Sequence, residues 1–221
     1  MSVFFFTIMK NYYALTFFIF CSTFVTAQQN YETEKIIWNS ITYPYRYHHM
    51  EQYFRYYPHK RPVVSTDSTI VNRNYRALFE VKEDKFYLKD LYIKDNSTQQ
   101  YTTSTLHTLN ERNEPILLNW VTGLFDIGVG TEKFLKSDST NVVYDQYIVF
   151  EVKRGVVSRT QIFNYREMQV FKDYQYKRFK NTPEYDKLVN RLILSGMTIY
   201  QAHYHINQFI LLYSRSNFLK K

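Results

Sequence analysis

The chain is poor in cysteine, glycine and proline: its 221 residues include one cysteine, five glycines and five prolines. A single thiol, Cys21, excludes an intrachain disulfide, a zinc site built from several cysteines and a cysteine-ligated iron–sulfur cluster. No P-loop, dinucleotide-binding glycine pattern or GxSxG elbow occurs. The nearest sequence, GVGTEK at 128–133, lacks the strand–glycine–helix setting in which such loops cradle a phosphate.

Histidines and carboxylates also lack the spacing that metal sites and acid–base pairs require. His203 and His205 are two residues apart, so on a helix they point about 200° apart and cannot share a metal. We expect His203 to be a partly buried core residue and His205 to be solvated. Three further histidines surround a helix end without a carboxylate pair, and the aspartates are expected to be solvated residues of turns and strand ends: His48, His49, His59, Asp84, Asp90, Asp95, Asp126 and Asp145. We therefore predict no metal, no cofactor and no assigned catalytic residue.

The positive charge does not indicate a nucleic-acid partner. The formal net charge is +8, but the 28 basic residues are scattered among 20 acidic ones, and no segment has the composition of a basic arm. Tyrosine and phenylalanine are frequent, with 22 and 18 copies, yet they alternate with aliphatic residues as core positions do. A groove for single-stranded nucleic acid would instead collect aromatics and bases on one sheet face.

The first 27 residues have the layout of a secretory signal peptide. Lys10 precedes an apolar stretch from Tyr12 to Val25, and the small-residue exit at Ala27 is followed by polar Gln28. The apolar run is short for a membrane span, and Cys21 lacks the context of a lipid-attachment site, so an uncleaved anchor and a lipoprotein are weaker alternatives. Translation could begin at Met1 or, with a more typical start, at Met9.

Cleavage after Ala27 would remove the cysteine and one lysine. The mature chain, residues 28–221, would then have 194 residues, a formal charge of +7 and no thiol. We predict an exported protein that is periplasmic, envelope-associated or secreted, with no membrane span once the signal is removed. Its stability must come from packing, which a chain of about this length can supply.

The first part of the mature chain has strand patterns. A short helix is predicted at 49–57 before Pro58. Alternating apolar residues predict a hairpin that turns near Glu83–Asp84 and a second that turns at Arg154–Gly155. Residues 96–113 are polar and lack a period, so they are predicted to form a long surface loop.

From Lys180 the apolar period changes to about 3.6 residues, which predicts helices. Thr182 followed by Pro183 is a typical helix start, and Thr198 with Gln201 forms a capping-box pair. These signals predict an αα-hairpin over about 182–213. With no linker before it, we predict one α+β domain at 28–221: an antiparallel sheet, a short N-terminal helix and a C-terminal helical hairpin that either packs on the sheet or mediates association.

Four ordered segments between Tyr53 and Val157 carry a resemblance: YF..YPHKRP, YRALFEVKEDKFYLKDL, NWVTGLFDIGVG and YIVFEVKRGVV. They are similar to a family of uncharacterised bacterial proteins with YF…HPEKRP, E-I-K…LYLKDI, DWFSGELRIP-G and EIKKGVV segments. The resemblance implies a sheet-rich domain without assigned catalytic residues, and some relatives look like immunity-type or small binding proteins. This chain departs from the pattern at 126–128, where Asp-Ile-Gly replaces Arg-Ile-Pro.

Two classes of function follow. The first is an exported, non-enzymatic binding or immunity-like module. The sequence does not identify its partner, which could be another protein. The alternative is a secreted hydrolase whose carboxylates meet only in three dimensions. Trp120 is the single candidate binding residue, because Gly123 at the end of the segment NWVTG allows a bend that could leave the indole at a sheet edge. The other interpretation of Trp120 is that it fills the core.

Overall fold

A computed structural model describes residues 34–62, 75–94, 100–135 and 138–214, without the side chains of 134–135 and 138–141. These residues belong to the unit Thr33–Lys221. The predicted signal peptide lies outside the described residues.

The fold mixes helices with a mostly antiparallel sheet, as predicted. The strand order in the main sheet is β2-β1-β3-β4-β11-β10-β7, with β5 and β6 also paired to β4. Among the strand pairs of the described residues, only β1 and β3 run parallel. A separate pair is formed by β8 and β9. The strands are β1 (Glu34–Trp38), β2 (Ile41–Tyr45), β3 (Tyr75–Lys82), β4 (Lys85–Lys94), β5 (Tyr101–Ser104), β6 (Ile116–Leu117), β7 (Gly123–Val129), β8 (Lys133–Leu135), β9 (Asp138–Val143), β10 (Gln146–Lys153) and β11 (Val156–Asn164).

Both predicted hairpins are confirmed, and they meet at their turns. The β3–β4 turn has Glu83 and Asp84 at φ 51° and 56°, and the β10–β11 turn has Arg154 and Gly155 at φ 50° and 77°. Two successive positive φ values match the twist of a hairpin. Glycine is needed at 155, because a Cβ there would lie 3.0 Å from the backbone of Leu118.

The helices are α1 (His49–Tyr56), α2 (Tyr165–Lys180), α3 (Pro183–Leu194), α4 (Ile199–Gln208) and α5 (Ile210–Tyr213). The capping box of Thr198 and Gln201 starts α4 as predicted. Thr182 precedes α3, but its side chain does not cap that helix and instead donates to the carbonyl of Phe179. In the part of the chain that is described, no helix combines the length and apolar character needed to cross a membrane.

Two elements differ from the sequence prediction. Helix α2 was not predicted, because its buried positions Met168, Gln175 and Phe179 place a polar residue in the middle of the apolar stripe. The predicted loop over 96–113 is wrong where it is described: Tyr101–Ser104 pairs with β4, and Leu106 and Leu109 are buried. Strand β5 is short and polar, so only its pairing with β4 reveals it.

Two hydrophobic cores lie on opposite faces of β10, which is buried on both. Ile148, Phe150 and Val152 face the first core, together with Met50 and Phe54 of α1. Tyr147 and Val149 face the second core, which the C-terminal helices cover through Met168, Phe179, Tyr185, Val189, Ala202 and Ile206.

Candidate ligand-binding site

A cavity of about 550 Å³ lies between the sheet and the C-terminal helices. Its floor comes from the end of β2, from β7 and from the start of β10, and its walls come from α2, α4 and the segment that precedes β10. This volume is in the range of pockets that bind small molecules. The lining residues are Pro44, Tyr45, Arg46, Asp126, Gly128, Val142, Val143, Tyr144, Tyr147, Tyr165, Gln169, Lys172, Asp173, Tyr204, Asn207, Gln208 and Phe209.

Asp126 is the buried charge at the base of this cavity. It lies in the middle of β7, where Phe125 and Ile127 point into the first core and Asp126 therefore points to the opposite face. Its Oδ1 accepts a hydrogen bond from Nη2 of Arg46 at 2.5 Å and another from the hydroxyl of Tyr47. The aspartate was predicted to be a solvated turn or strand-end residue, and this is wrong: it is 5% exposed.

These partners keep Asp126 ionised. Burial by itself would raise its pKa, but the charges of Arg46 and Lys172 and the hydrogen bonds from Tyr47 and Arg46 outweigh burial and lower the pKa below its usual value. The same carboxylate raises the pKa of Arg46, although burial opposes this, so the guanidinium stays charged. The pair is thus a fixed ion pair and not a source of protons at neutral pH.

Arg46 retains donors that no described residue binds. Its side chain is 47% exposed, and both of its hydrogen bonds to described residues, to Asp126 and to Tyr47, use Nη2. Within the described ranges, Nε and Nη1 have no protein acceptor. A guanidinium has five N–H groups in a planar fork, so these two nitrogens can bind an anion in the cavity.

Lys172 on α2 supplies a second positive charge. Burial lowers its pKa and so does the charge of Arg46, while Asp126 opposes them. Among the residues that the structure describes, its ammonium group has no ion-pair or hydrogen-bond partner. A partly buried amine without a direct partner is costly unless water or a ligand solvates it.

A buried tyrosine–histidine pair supports the segment that carries Arg46. The hydroxyl of Tyr45 lies 2.8 Å from Nε2 of His49, and the His49 ring is surrounded by Phe79, Phe86 and Phe125. Burial, followed by the nearby His48, lowers the pKa of His49 to about 3. His49 is therefore a neutral core residue at physiological pH, and it anchors the backbone on which Arg46 is mounted.

Tyr144 lies directly against the backbone of β7. A Cβ added at Gly128 would come within 2.1 Å of the Tyr144 ring, so only glycine leaves room for it. The ring is held from two sides, because the Tyr144 hydroxyl donates to Glu132 at 2.9 Å and its backbone N–H donates to the Tyr147 hydroxyl at 3.0 Å. Gly128 thus shapes one wall of the cavity.

The binding residue proposed from the sequence, Trp120, lies away from the cavity. Trp120 is half-buried, packs on Tyr53 with ring centroids 4.8 Å apart, and points its Nε1 at the carbonyl of His49 at 3.4 Å. It does not line the cavity, and its role as a binding residue stays a prediction.

Two histidines of α4 take part in hydrogen bonds between helices. His203 is half-buried with Nδ1 2.5 Å from the Tyr185 hydroxyl, in agreement with its predicted core role. His205 was predicted to be solvated, and this is wrong: it is half-buried and its Nε2 lies 3.0 Å from the hydroxyl of Tyr213. The chain turns at Phe209 between α4 and α5, and this turn places Tyr213 of α5 next to His205.

The described residues contain no group of three histidine, cysteine or carboxylate side chains arranged to hold a metal ion. No sequence pattern indicates Arg46, Lys172 or the wall formed by Tyr144. The sequence does carry a signal at Asp126, because an aspartate inside the apolar strand GLFDIGV has to be buried with a partner or to mark a site.

No protein-family model, curated protein or solved structure matches the chain.

Proposed function

We propose that the protein is a non-enzymatic binding module whose ligand is a small molecule held in the cavity between β7 and the C-terminal helices. The observation that carries the proposal is a set of polar side chains on the cavity wall that make no hydrogen bond within the described part of the chain: Gln169, Lys172, Asn207 and Gln208. Together with six aromatic rings they give a mixed polar and aromatic lining, and in ligand sites a small number of polar groups fixes the orientation of the ligand.

The chemistry of the cavity favours binding over hydrolysis. A hydrolase would need a carboxylic acid or histidine able to transfer a proton. Asp126 has a lowered pKa and uses Oδ1 to accept from both Arg46 and Tyr47. Burial raises the pKa of Tyr147, which keeps that hydroxyl neutral. The secreted hydrolase therefore remains the weaker alternative.

Helix α1 and the C-terminal helical hairpin would both serve this binding function. The short N-terminal helix α1 would serve to anchor His49 and hence Arg46. The C-terminal hairpin of α3 and α4 would serve to present the cavity-facing residues of α4. We retain the resemblance to the family of bacterial immunity-like or small binding proteins as a proposal, with Trp120 as its candidate surface for a protein partner.

A thermal-shift screen of the purified chain against small molecules tests the proposed function. We expect ligands that raise the melting temperature in the native chain and lose this effect in Gly128→Ala, because the new Cβ displaces Tyr144 from the cavity wall. The matched control is Thr160→Ala, an exposed position of β11 in the same sheet, which should respond to ligand as the native chain does. Ligands that stabilise Gly128→Ala equally would show that they bind outside the cavity.

We also propose that the protein is exported, with residues 1–27 removed as a signal peptide. The support is the charge, the apolar run and the small-residue exit at Ala27. The intact mass of the protein isolated from its own cells should correspond to a chain that begins at Gln28. A mass that includes Cys21 would contradict cleavage at this position.

A further inference from the structure

The cavity has an excess of one positive charge in its inner part. Arg46 and Lys172 each contribute one positive charge, and Asp126 contributes one negative charge that is already bound by Arg46 and Tyr47. Asp173 also lines the cavity, but the charges that act on the pKa of Lys172 are those of Asp126 and Arg46 and not that of Asp173. A ligand that brought one negative charge to Lys172 and Arg46 would neutralise the inner cavity.

The cavity lining supplies cationic donors for an oxyanion. Lys172 offers an ammonium group without a protein partner in the described chain, and Arg46 offers Nε and Nη1. Hydrogen bonds between such cations and a carboxylate are about twice as strong as neutral ones. Because the site lies partly out of water, the interaction is also less screened than on an open surface.

The remaining wall suits a flat ring. Tyr144, Tyr147, Tyr165, Tyr204 and Phe209 line the cavity, and aromatic faces stack favourably on planar ligands. The free amides of Asn207 and Gln208 can orient a polar substituent on such a ring.

We propose, on the basis of the proposed function, that the ligand is a planar aromatic monocarboxylate, with its carboxylate between Lys172 and the free N–H groups of Arg46 and its ring among the cavity tyrosines. A phosphate monoester fits less well, because at neutral pH it carries close to two negative charges. The second charge would face Asp126 without a cation to balance it.

The test compares three probes on the purified chain by ligand-observed NMR titration. Indole-3-acetate carries the charge, indole-3-acetamide has the same shape without it, and phenyl phosphate carries the larger charge. We expect the acetate to bind at least about tenfold more tightly than the amide, a difference of about 1.4 kcal/mol, and more tightly than the phosphate.

Substitutions of Lys172 decide whether this residue causes the preference. Lys172→Met should weaken acetate binding and reduce its advantage over the amide without changing amide binding, and Lys172→Arg should keep the preference because it keeps the charge. Lys177→Met, on an exposed position of the same helix, should leave both unchanged. Near-ultraviolet circular dichroism should show the native tertiary signal in each variant.

Three results would overturn the inference: equal binding of acetate and amide, tighter binding of phenyl phosphate, or an unchanged preference in Lys172→Met. If none of the three probes binds while the broad screen finds other ligands that Gly128→Ala abolishes, the aromatic carboxylate is wrong and the binding cavity stands. If the broad screen also finds no cavity ligand, the proposed function fails as well.

Discussion

Acidification from pH 6.5 to about 3 should lower the free energy of unfolding by roughly 4 kcal/mol through His49 alone. In the folded protein the pKa of His49 is about 3 instead of the ordinary 6.5, mainly because the ring is buried. In this pH range the unfolded chain therefore binds a proton that the folded chain excludes. The contribution of neutral His49 to the free energy of unfolding is fully present above pH 6.5. It decreases as the pH falls towards 3.

The measurement is the unfolding free energy from urea titrations at closely spaced pH values. Above pH 4 the loss should come mainly from histidine, because Asp126, whose pKa is lowered by its partners against the effect of burial, contributes only below its ordinary pKa of 3.8. His49→Gln keeps a polar group next to the Tyr45 hydroxyl but cannot titrate. Between pH 6.5 and 4 this variant should lose up to about 1.4 kcal/mol less per pH unit than the native chain.

Exposed His107 provides the matched control, since His107→Gln should follow the native pH profile. A native profile that is flat between pH 6.5 and 4, or one that His49→Gln leaves unchanged, would show that the His49 ring is accessible to protons. The anchor proposed for Arg46 would then be looser than the described structure implies.

Ile206→Asp should destabilise the protein by on the order of 4 kcal/mol. Ile206 is fully buried in the second core, against the face of the sheet that carries Tyr147 and Val149. A carboxylate there would lose its water without gaining a cation. The neighbouring residue Asn207 lines the cavity, so the same substitution should also abolish ligand-induced stabilisation.

Chemical denaturation and thermal melting would measure this effect. Tyr200→Asp is the matched control, because Tyr200 lies on the same helix and is 84% exposed; it should change the free energy of unfolding by no more than about 0.5 kcal/mol. If Ile206→Asp does not fold at all, Ile206→Val should still cost about 0.5–1.5 kcal/mol. Unchanged melting of Ile206→Asp would mean that α4 does not form part of the core.

The sequence predicted the elements whose signals are local. Alternating apolar residues located β3, β4, β10 and β11, and their turns were visible at Glu83–Asp84 and Arg154–Gly155. Strand β5 and helix α2 were missed for a common reason. The pattern of each element is polar or is interrupted by a residue such as Gln175, so no regular apolar period marks it.

The candidate site could not be read from the sequence because its charges are far apart along the chain. Arg46 and Asp126 are 80 residues apart and Lys172 lies on a third element, yet they meet at one cavity. Spacing rules detect sites whose residues share one helix, strand or loop, and here no two of the three do. The burial of Asp126 was the one available signal, since a charge inside the apolar segment GLFDIGV needs a partner.

The sequence alone determined that the fold mixes helices with a mostly antiparallel sheet. Both features depend on the period of apolar residues and on turn residues, which act over a few positions of the chain. The tertiary structure alone decided which charged groups are buried and which are free. The pairing of Arg46 with Asp126, the open position of Lys172 and the neutral state of His49 depend on distances and desolvation. These quantities exist only once β2, β7 and α2 have packed together.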